Sequence, residues 1–278
     1  MRLIADSGST KTDWVLTIEK GVERRFHTQG INPFHQSEES ILTILREELV
    51  TQLPALDAEE LSIAFYGSGV RPELEPVMER LLRTALPTAT AVEAHSDLLG
   101  AARAVCGHRE GIACILGTGA NSCLYDGLRI VSNTPPLGYI LGDEGSGAVL
   151  GIRFLNALYK GFLPATVVND FQEDMKLSMA DVIERVYRQP MANRFLASLA
   201  PFVKSHADVP QVKELVVDNF RCFLRRNVAA YGRKDLPVGF VGSIAFHFSS
   251  ELKEAIGAEG MSIGPIIKSP LDVVLNNH

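Results

Sequence analysis

The sequence lacks several features that would place it in a special class of protein. Its four cysteines, among 278 residues, include no Cys-x-x-Cys spacing, so neither a zinc site nor a disulfide framework is indicated. No apolar run approaches the ~20 residues that a membrane span needs. Asp6 interrupts the N-terminal apolar stretch too early for a signal peptide. These absences predict a reduced, cytoplasmic protein with no membrane partner.

An excess of positive charge is also missing. The formal net charge of −6 and the pI near 5.7 give no electrostatic reason to expect nucleic acid or an anionic membrane as a partner. A hydrophobic content of 46% and a charged content of 22% are typical of a globular protein. The length suits two domains of ordinary size.

The first feature that is present is a polar turn near the N-terminus. Residues 3–5 and 14–18 are apolar and predict strands, so the turn between them predicts the tip of a β-hairpin. Glycine with serine and threonine, at Gly8, Ser9 and Thr10, lets backbone N–H groups and hydroxyls approach a phosphate closely. Asp6 stands where a carboxylate would hold Mg²⁺ through water. An ordinary polar hairpin turn is the alternative.

Strands and helices alternate through the rest of the first hundred residues. Further strands are predicted at 22–28, after a turn at Gly21, and at 61–66 and 89–94. Helices are predicted after Ser37 and Ser96, as N-caps, and from Pro72. Gly30 and Pro33 bound a loop in which Pro33 keeps Asn32 out of the helical region. This alternation predicts an α/β domain with a mixed sheet.

The same order of elements restarts at Glu110. A strand at 112–116, a turn at 117–121, a strand at 122–125, a hairpin at Asp126-Gly127 and a strand at 128–131 repeat the N-terminal order. Two related domains, joined by a hinge near residues 106–110, would each offer a phosphate-sized turn. A ligand with several phosphates is the expected occupant of the cleft between them.

The second half is predicted to be mostly helical. Apolar residues recur at helical spacing in 149–162, 179–187, 195–203 and 212–230. A buried strand at 238–241 then runs into Gly242-Ser243 and a helix at 244–256. This strand, turn and helix predict a second place for an anion or a nucleotide.

Five motifs together resemble the N-acetylglucosamine kinase family, in the acetate and sugar kinase/actin-like ATPase superfamily. They are the turn at 6–12, Asp97 within 95–102, and the segments at 116–122, 141–146 and 241–248. The resemblance implies two ribonuclease-H-like domains with mixed sheets flanked by helices, at 1–107 and 108–267, and an active site in the cleft between them. A C-terminal helix at about 268–278 would return to the first domain.

The resemblance also implies an ATP-dependent kinase that phosphorylates an amino sugar, most simply N-acetylglucosamine at O6, with ATP and Mg²⁺ and with Asp97 as general base. It further implies a homodimer. Its implied site residues fall into three groups. The residues implied for nucleotide binding are Gly8, Ser9, Thr10, Lys11, Gly117, Thr118, Gly119, Gly242, Ser243 and Phe246. Those implied for sugar binding are Asn32, Asp97, Ala120, Asn121, Gly138 and Asp143. Those implied for metal binding are Asp6 and Asp143.

The sequence departs from the family at three points. Ser7 and Ser9 stand where many relatives carry glycine, and Leu137 occupies a place that resembles a tryptophan position in the animal enzyme. Single motifs also have structural alternatives. Asp97 and Asp143-Glu144 would favour a helix start in any case, and Gly117-Thr118-Gly119 alone would be a hairpin turn.

Other functions stay open at this point. Activator ATPases of 2-hydroxyacyl-CoA dehydratases and of benzoyl-CoA reductase resemble the same turns but hold an iron–sulfur cluster through cysteines, and no cluster pair is evident here. A non-catalytic sugar sensor is a third class, which Asp6, Asp97 and Asp143 argue against. N-acetylmuramic acid, N-acetylmannosamine and glucosamine are alternative sugars.

Overall fold

The computed structural model describes residues 1–8, 10–18, 22–54 and 60–274. Contacts divide the chain into two compact units. The N-terminal unit is Met1–Ala104 with Ser269–His278, and the C-terminal unit is Val105–Lys268. The turn predicted at Gly21 and the end of the predicted C-terminal helix, 275–278, lie outside the described residues. In the part of the chain that is described, no helix is both long and apolar enough to cross a membrane.

The N-terminal unit contains a mixed five-stranded sheet in the order β3-β2-β1-β4-β5. β1 pairs antiparallel with β2 and parallel with β4, while β2–β3 is antiparallel and β4–β5 is parallel. The strands are β1 (Arg2–Ser7), β2 (Lys11–Ile18), β3 (Val22–Gln29), β4 (Leu61–Gly67) and β5 (Ala89–Ser96). Because the two parallel strands run beside β1, their carboxyl ends and the β1–β2 turn share one edge of the sheet.

The two faces of this sheet differ in chemistry. One face carries the apolar core, in which Trp14 and Phe65 are fully buried with ring centroids 5.8 Å apart. The other face carries a row of polar residues that are register partners across all five strands, near the carboxyl ends of the parallel ones. This row consists of His27, Asp13, Asp6, Tyr66 and His95.

Three helices lie where helices were predicted, and two of them start as predicted. They are α1 (Glu38–Ile44), α2 (Glu75–Ala85) and α3 (Asp97–Cys106). Ser37 Oγ accepts the N–H of Ser40 and Ser96 Oγ accepts the N–H of Leu99, which confirms both predicted caps. α2 begins at Glu75, because residues 72–74 form a turn. α1 continues into a π-turn (Leu45–Leu49) and a 3₁₀ turn (Val50–Gln52).

The C-terminal unit repeats the topology. Its sheet has the order β10-β9-β6-β7-β8, with β6–β7 and β7–β8 antiparallel and β6–β9 and β9–β10 parallel. The strands are β6 (Gly111–Leu116), β7 (Ala120–Tyr125), β8 (Ile130–Thr134), β9 (Pro237–Val241) and β10 (Ser262–Ile267). The predicted repetition of one order of elements, and the predicted α/β fold class, are confirmed.

The helices of the C-terminal unit correct several predicted bounds. They are α4 (Gly138–Leu141), α5 (Gly147–Tyr159), α6 (Ala165–Met175), α7 (Met179–Tyr187), α8 (Ala192–Ala197), α9 (Ala200–Ser205), α10 (Pro210–Phe223), α11 (Ser243–His247) and α12 (Ser249–Ala258). The prediction of a single helix at 195–203 is wrong, and so is that of a single helix at 244–256, because each range contains two helices. The helix predicted at 212–230 ends at Phe223 and continues as a π-turn (Leu224–Val228) and a 3₁₀ turn (Ala229–Tyr231). A last short helix, α13 (Leu271–Val274), belongs to the N-terminal unit.

Candidate active site

The tip of the β1–β2 hairpin is a short turn at the edge of the N-terminal sheet. The Gly8 N–H donates to the Lys11 carbonyl at 3.0 Å, and the Thr10 carbonyl accepts the N–H of Gly30 at 3.2 Å. Gly8 is exposed, and Ser9 lies outside the described residues. The Lys11 ammonium is 2.9 Å from the Asp13 carboxylate. The tip therefore exposes Gly8 to solvent, and the lysine of the tip is paired with Asp13.

Ser7, a departure from the family glycine, is fully buried behind this tip. Its hydroxyl lies 2.7 Å from Thr12 Oγ1, donates to the Ile31 carbonyl at 2.9 Å and accepts the Ile31 N–H at 3.0 Å. A glycine would make none of these bonds. Ser7 thus connects the hairpin to the loop that carries Asn32.

Asn32 lies beside the turn that follows β4. Its Oδ1 accepts the N–H of Phe34 at 3.0 Å, and its backbone N–H donates to Gln36 Oε1 at 2.7 Å. Among the described residues, no hydrogen bond from Asn32 Nδ2 is found, and the side chain is only partly buried. One side of the amide therefore stabilises the loop, and the other side keeps a donor for a ligand.

Asp97 is the first residue of α3 and follows directly after β5. Its Oδ1 accepts the N–H of Leu98 at 2.8 Å. Burial nevertheless raises the pKa of this carboxyl to about 6. A carboxylate with such a pKa is ionised at neutral pH and is a stronger base than an exposed aspartate, which suits a group that accepts a proton.

Asp6 is the most perturbed carboxyl at this edge. Burial, followed by the negative charges of Asp97 and Asp13, raises the pKa of Asp6 to about 7. The Ser269 hydroxyl, which the C-terminal segment brings to β1, lies 3.5 Å from Asp6 Oδ2 and opposes this shift only weakly. The site therefore concentrates negative charge that a cation would neutralise.

A divalent cation fits the chemistry of these donors. Mg²⁺ prefers oxygen ligands and usually takes one or two carboxylates, with waters and phosphate oxygens completing its shell. No cluster of three or more His, Cys, Asp or Glu side chains suited to a metal occurs among the described residues. The arrangement around Asp6 thus matches a metal that is held partly by a phosphate ligand, and it does not match an all-protein site.

In the C-terminal unit, the Gly117–Gly119 turn follows β6 and contacts the start of α5. The Gly117 N–H donates to the Gly119 carbonyl at 3.0 Å. The carbonyls of Gly117 and Thr118 accept the N–H groups of Gly147 and Ala148 at 2.8 and 3.2 Å. The turn is therefore held by one internal hydrogen bond and by two bonds to the start of α5, and a Cβ on Gly117 would meet no atom within 4 Å.

Asp143 lies against this turn. A Cβ on Gly119 would be 2.9 Å from Asp143 Oδ2, and the carboxylate accepts hydrogen bonds from the backbone of Ala120 and Gly138. Asp143 has a φ of +54°, which is uncommon for a residue other than glycine. Burial still raises the pKa of Asp143. Ser146, not Asp143, caps α5 by accepting the N–H of Val149, so the alternative in which Asp143-Glu144 forms the first helical turn is wrong.

Two of the three remaining predicted sugar residues of this unit lie beside Asp143. Ala120 and Gly138 are its hydrogen-bond donors, and Gly138 has a φ of +74° with open space where a side chain would point. Asn121 Oδ1 accepts the N–H of Ser122 and Nδ2 of Asn133, both at 2.9 Å. The structure thus brings Ala120, Gly138 and Asp143 into one hydrogen-bonded group.

Gly242 and Ser243 follow β9, next to the end of β6. Gly242 has a φ of +119°, and a Cβ there would lie 2.3 Å from the Leu116 carbonyl oxygen, so only glycine fits. The Gly242 N–H donates to the Ile267 carbonyl at 3.0 Å. Phe246 is half exposed on α11, with its ring edge against His247. A small backbone turn at Gly242 thus adjoins the end of β6, and an exposed aromatic ring follows it on α11.

Each unit therefore collects its own predicted residues at one edge of its sheet. The N-terminal unit contains Asp6, Gly8, Thr10, Lys11, Asn32 and Asp97, and Gly117, Thr118, Gly119, Ala120, Asn121, Gly138, Asp143, Gly242, Ser243 and Phe246 belong to the C-terminal unit. The sequence alone did not single out Gly69 or Ser269. The Gly-Ser-Gly turn after the apolar run 61–66 was a signal for Gly69, whereas nothing local marked Ser269 as a partner of Asp6.

Comparisons with known proteins give the chain its family. A proposed N-acetylglucosamine kinase of Porphyromonas gingivalis has a solved structure with a TM-score of 0.95 and 48% identity, and the match covers 100% of this chain and 98% of that one. A second proposed N-acetylglucosamine kinase, from Chromobacterium violaceum, has a TM-score of 0.73 and 21% identity, with 100% and 98% covered.

A curated relative gives a more distant match in sequence. The N-acetylmuramic acid/N-acetylglucosamine kinase of Clostridium acetobutylicum is 26% identical over 210 residues, which cover 72% of this chain and 68% of that one. No family model matches the chain. Membership therefore rests on the 48% identity over the whole chain and on the shared fold. The chain belongs to the N-acetylglucosamine kinase family, a group of ATP-dependent sugar kinases with the actin-like ATPase fold.

Proposed function

We propose that this sugar kinase phosphorylates an amino sugar, N-acetylglucosamine at O6, with Asp97 as the general base. The observation that carries this proposal is the grouping of Asp97, Asn32 and the Gly8–Lys11 turn at one edge of the N-terminal sheet. A base, a sugar-binding amide and a phosphate-sized turn are the three parts that phosphoryl transfer to a hydroxyl needs close together.

Each residue has a chemical role in the proposal. Asp97 accepts the proton of the attacking hydroxyl, which its raised pKa favours. Gly8, Ser9, Thr10 and Lys11, with Gly117–Gly119, hold phosphates through hydroxyls and through backbone N–H groups other than those of Gly8 and Gly117, which donate within the turns. Gly242, Ser243 and Phe246 receive the adenosine. The proposal requires the glycine turns of both units to serve one nucleotide, with residues 1–107 and 108–267 acting as two domains that close on it.

Mg²⁺ is part of the proposal through Asp6. The negative charges of Asp97 and Asp13, which help to raise the pKa of Asp6, are offset when a cation binds to the Asp6 carboxylate. A bound Mg²⁺ supplies neutralisation of the phosphate charge. Asp143 is a second candidate ligand, although its bonds to the backbone of Ala120 and Gly138 favour a role in sugar binding.

The choice of sugar is supported by the two relatives whose names share one substrate. The Porphyromonas gingivalis relative is a proposed N-acetylglucosamine kinase, and the Clostridium acetobutylicum enzyme is named for N-acetylmuramic acid and N-acetylglucosamine. N-acetylmuramic acid is therefore the second candidate. Its lactyl carboxylate would need space and a cation near the sugar, whereas Lys11 is paired with Asp13.

A panel of sugars tests the proposal directly. We expect phosphorylation of N-acetylglucosamine in the presence of ATP and Mg²⁺, with lower kcat/KM for glucosamine, N-acetylmannosamine, N-acetylmuramic acid and glucose. The 6-deoxy analogue of N-acetylglucosamine should bind as a competitive inhibitor and accept no phosphate. Turnover of the 6-deoxy analogue would contradict the O6 assignment, and no turnover of any amino sugar would contradict the proposed activity.

The cysteines argue against the iron–sulfur activator alternative. Cys106, Cys114 and Cys123 are buried, and burial raises the pKa of all three thiols. A cluster shared between subunits needs thiolates at a surface, whereas these thiols lie inside the C-terminal unit. The presence of both Asp97 and Asp6 at one edge of the sheet likewise favours an enzyme over a non-catalytic sugar sensor.

We also propose that the enzyme is a homodimer, formed through an apolar face that comprises exposed side chains of α5, of α7 and of the segments that follow α5 and precede α8. Seven large side chains on it are 39 to 77% exposed, and they amount to on the order of 700 Å² if a large side chain presents ~150–250 Å². A standard interface buries about 800 Å² per partner. The face consists of Ile152, Tyr159, Phe162, Met179, Ile183, Tyr187 and Met191.

The charges on α7 suit a second copy of the same chain. Asp181 lies in its first turn, Arg185 lies in its last turn, and Arg188 follows at its C-terminal end. A two-fold contact pairs α7 antiparallel with itself and places acidic residues opposite basic ones. Ile183→Glu should convert the dimer to a monomer by size-exclusion light scattering, whereas Leu128→Glu, at an exposed leucine outside the face, should not. A monomeric wild type would contradict this proposal.

A further inference from the structure

The two units share a feature that their topology does not require. In each unit, one helix is followed by a five-residue π-turn and then a three-residue 3₁₀ turn: Leu45–Leu49 with Val50–Gln52, and Leu224–Val228 with Ala229–Tyr231. The two eight-residue segments, LREELVTQ and LRRNVAAY, both begin with Leu-Arg, and their first and fifth residues are buried apolar side chains. π-Turns are rare and occur frequently at functional sites.

Both segments bind the last residue of the third strand of their unit. In the N-terminal unit, the Glu48 carboxylate accepts the Gln29 N–H at 2.7 Å and Gln29 Nε2 at 2.5 Å. In the C-terminal unit, the Asn227 carbonyl accepts the Thr134 hydroxyl at 2.9 Å. Glu48 and Asn227 are the fourth residues of their respective π-turns, and Gln29 and Thr134 end β3 and β8.

The last residue of each 3₁₀ turn makes a second bond to the same strand. Gln52 Nε2 donates to the His27 carbonyl at 3.1 Å, and the Tyr231 hydroxyl accepts the Thr134 N–H at 2.9 Å. β3 and β8 are the edge strands of their sheets, so these ends would otherwise lack partners on one side. In both units the fourth residue of the π-turn thus reaches the end of the edge strand.

Each of these strand ends leads directly into a segment with predicted sugar-binding residues. Residues 30–33, with Asn32, follow Gln29, and residues 135–138, with Gly138, follow Thr134. In the C-terminal unit the π-turn also reaches the next part of the site, since Asn227 Nδ2 and Arg226 donate to Glu144, beside Asp143, at 3.3 and 3.2 Å.

We propose that the paired π-turn and 3₁₀ segments position the sugar-binding segments of the two units, with Glu48 and Asn227 as positioning residues. The inference rests on the proposed function, because it takes residues 30–33 and 135–138 to contact the sugar. Neither Glu48 nor Asn227 touches the substrate. Each residue is hydrogen-bonded to the end of an edge strand, and this bond fixes the direction in which the following segment leaves the sheet.

Kinetics with matched variants test the N-terminal half of this inference. Glu48→Ala should raise the KM for the sugar about tenfold, as expected for the loss of two hydrogen bonds to a segment that must be ordered, with kcat and the KM for ATP within about twofold of wild type. Glu48→Gln keeps an acceptor for the Gln29 N–H and should recover most of this loss. Glu47→Ala removes an exposed carboxylate from the same π-turn and should change nothing.

Thr134 provides the corresponding test in the C-terminal unit. Thr134→Val removes the hydroxyl that reaches Asn227, and Thr134→Ser keeps it. The valine variant should raise the KM for the sugar, and the serine variant should resemble wild type. Equal sugar KM values in Glu48→Ala and Glu47→Ala, or an equal rise in both substrate KM values, would overturn the inference.

Amide hydrogen exchange separates this inference from the proposed activity. In Glu48→Ala, exchange at residues 30–36 should accelerate at least tenfold relative to Glu47→Ala, with α2 unchanged. This measurement needs no substrate. If wild type phosphorylated no amino sugar but exchange still accelerated, the proposed function would fail while the positioning of the loop would stand; unchanged exchange would overturn the inference itself.

Discussion

A Cβ atom on Gly69 would lie 2.0 Å from Oδ1 of Asn32. Gly69 has a φ of +77° and follows β4, whereas Asn32 follows β3, so the two meet at the sheet edge from different parts of the chain. Because Gly69 has no side chain, the Asn32 amide can occupy this space. The position of a proposed sugar-binding side chain is thus determined by a residue that itself offers no functional group.

Gly69→Ala should therefore weaken sugar binding. The new methyl group must displace Asn32, and we expect a rise in the KM for the sugar of about 10- to 100-fold, with a smaller change in the KM for ATP. Gly161→Ala is the matched control, because Gly161 has a φ of +75° and no atom within 4 Å of the place that its methyl group would take. Both variants carry the same backbone strain, so an equal loss in both would show that the contact with Asn32 is not what matters.

Removal of the base should lower catalysis without preventing binding. Asp97→Asn keeps the shape of the side chain and should reduce kcat by about 10²- to 10⁴-fold. In wild type, kcat/KM should rise with pH through about 6, because the carboxylate must be ionised to accept a proton. Steady-state kinetics between pH 5 and 8 check both points. If kcat of Asp97→Asn lay within threefold of the wild-type value, Asp97 would not be the general base.

Asp6→Asn should stabilise the protein at alkaline pH in the absence of metal. The pKa of Asp6 is raised to about 7, so the folded protein holds a proton that the unfolded chain loses near pH 4, and stability falls as pH rises between these values. Asparagine removes this cost. We expect a gain on the order of 1–3 kcal/mol at pH 8, allowing for partial exposure, and almost none at pH 4.

Thermal unfolding of the Asp6→Asn variant with and without Mg²⁺ checks the same residue as a metal ligand. Mg²⁺ with a non-hydrolysable ATP analogue should raise the Tm of wild type at pH 8 by more than it raises the Tm of Asp6→Asn. At each Mg²⁺ concentration of a titration, turnover by Asp6→Asn should be much lower than turnover by wild type. Equal Tm increments in the two proteins would place the metal elsewhere.

Asp143→Asn should affect the sugar more than the nucleotide. Asparagine tolerates the positive φ of this position, so the substitution removes charge without imposing new strain. Its amide cannot accept hydrogen bonds from both Ala120 and Gly138 as well as a carboxylate does. We expect a five- to fiftyfold loss in kcat/KM for the sugar. A loss confined to the KM for ATP would assign Asp143 to the nucleotide instead.

Elements with strong local signals could be predicted from the sequence. Ser37 and Ser96 precede helices and cap them as expected, and the shared order of strands and glycine turns corresponds to two sheets of the same topology. β10 was missed because Gly264 and Pro265 interrupt its apolar run. The structure tolerates them because β10 is an edge strand with an irregular register between Ile263 and Ile266.

Features that depend on tertiary contacts could not be predicted. The π-turn at Leu224–Val228 leaves the apolar spacing of 212–230 almost unchanged, so the segment looked like one continuous helix. Asp143 was assigned to the site, but the sequence around it predicted neither its φ of +54° nor the position of its carboxylate against Gly119. Ser7 was noted only as a departure from glycine, since its partner Ile31 lies 24 residues away.

That bond between Ser7 and Ile31 has a thermodynamic consequence. The turn proposed for phosphate and the segment proposed for sugar are joined by the buried Ser7 hydroxyl and by the contact between Thr10 and Gly30. A ligand that orders one of them also reduces the entropy cost of ordering the other, so the two substrates would bind with positive cooperativity. Linkage makes this effect reciprocal: whatever factor ATP adds to the affinity for the sugar, the sugar must add to the affinity for ATP. In relatives with glycine at this position, the two affinities would be more nearly independent.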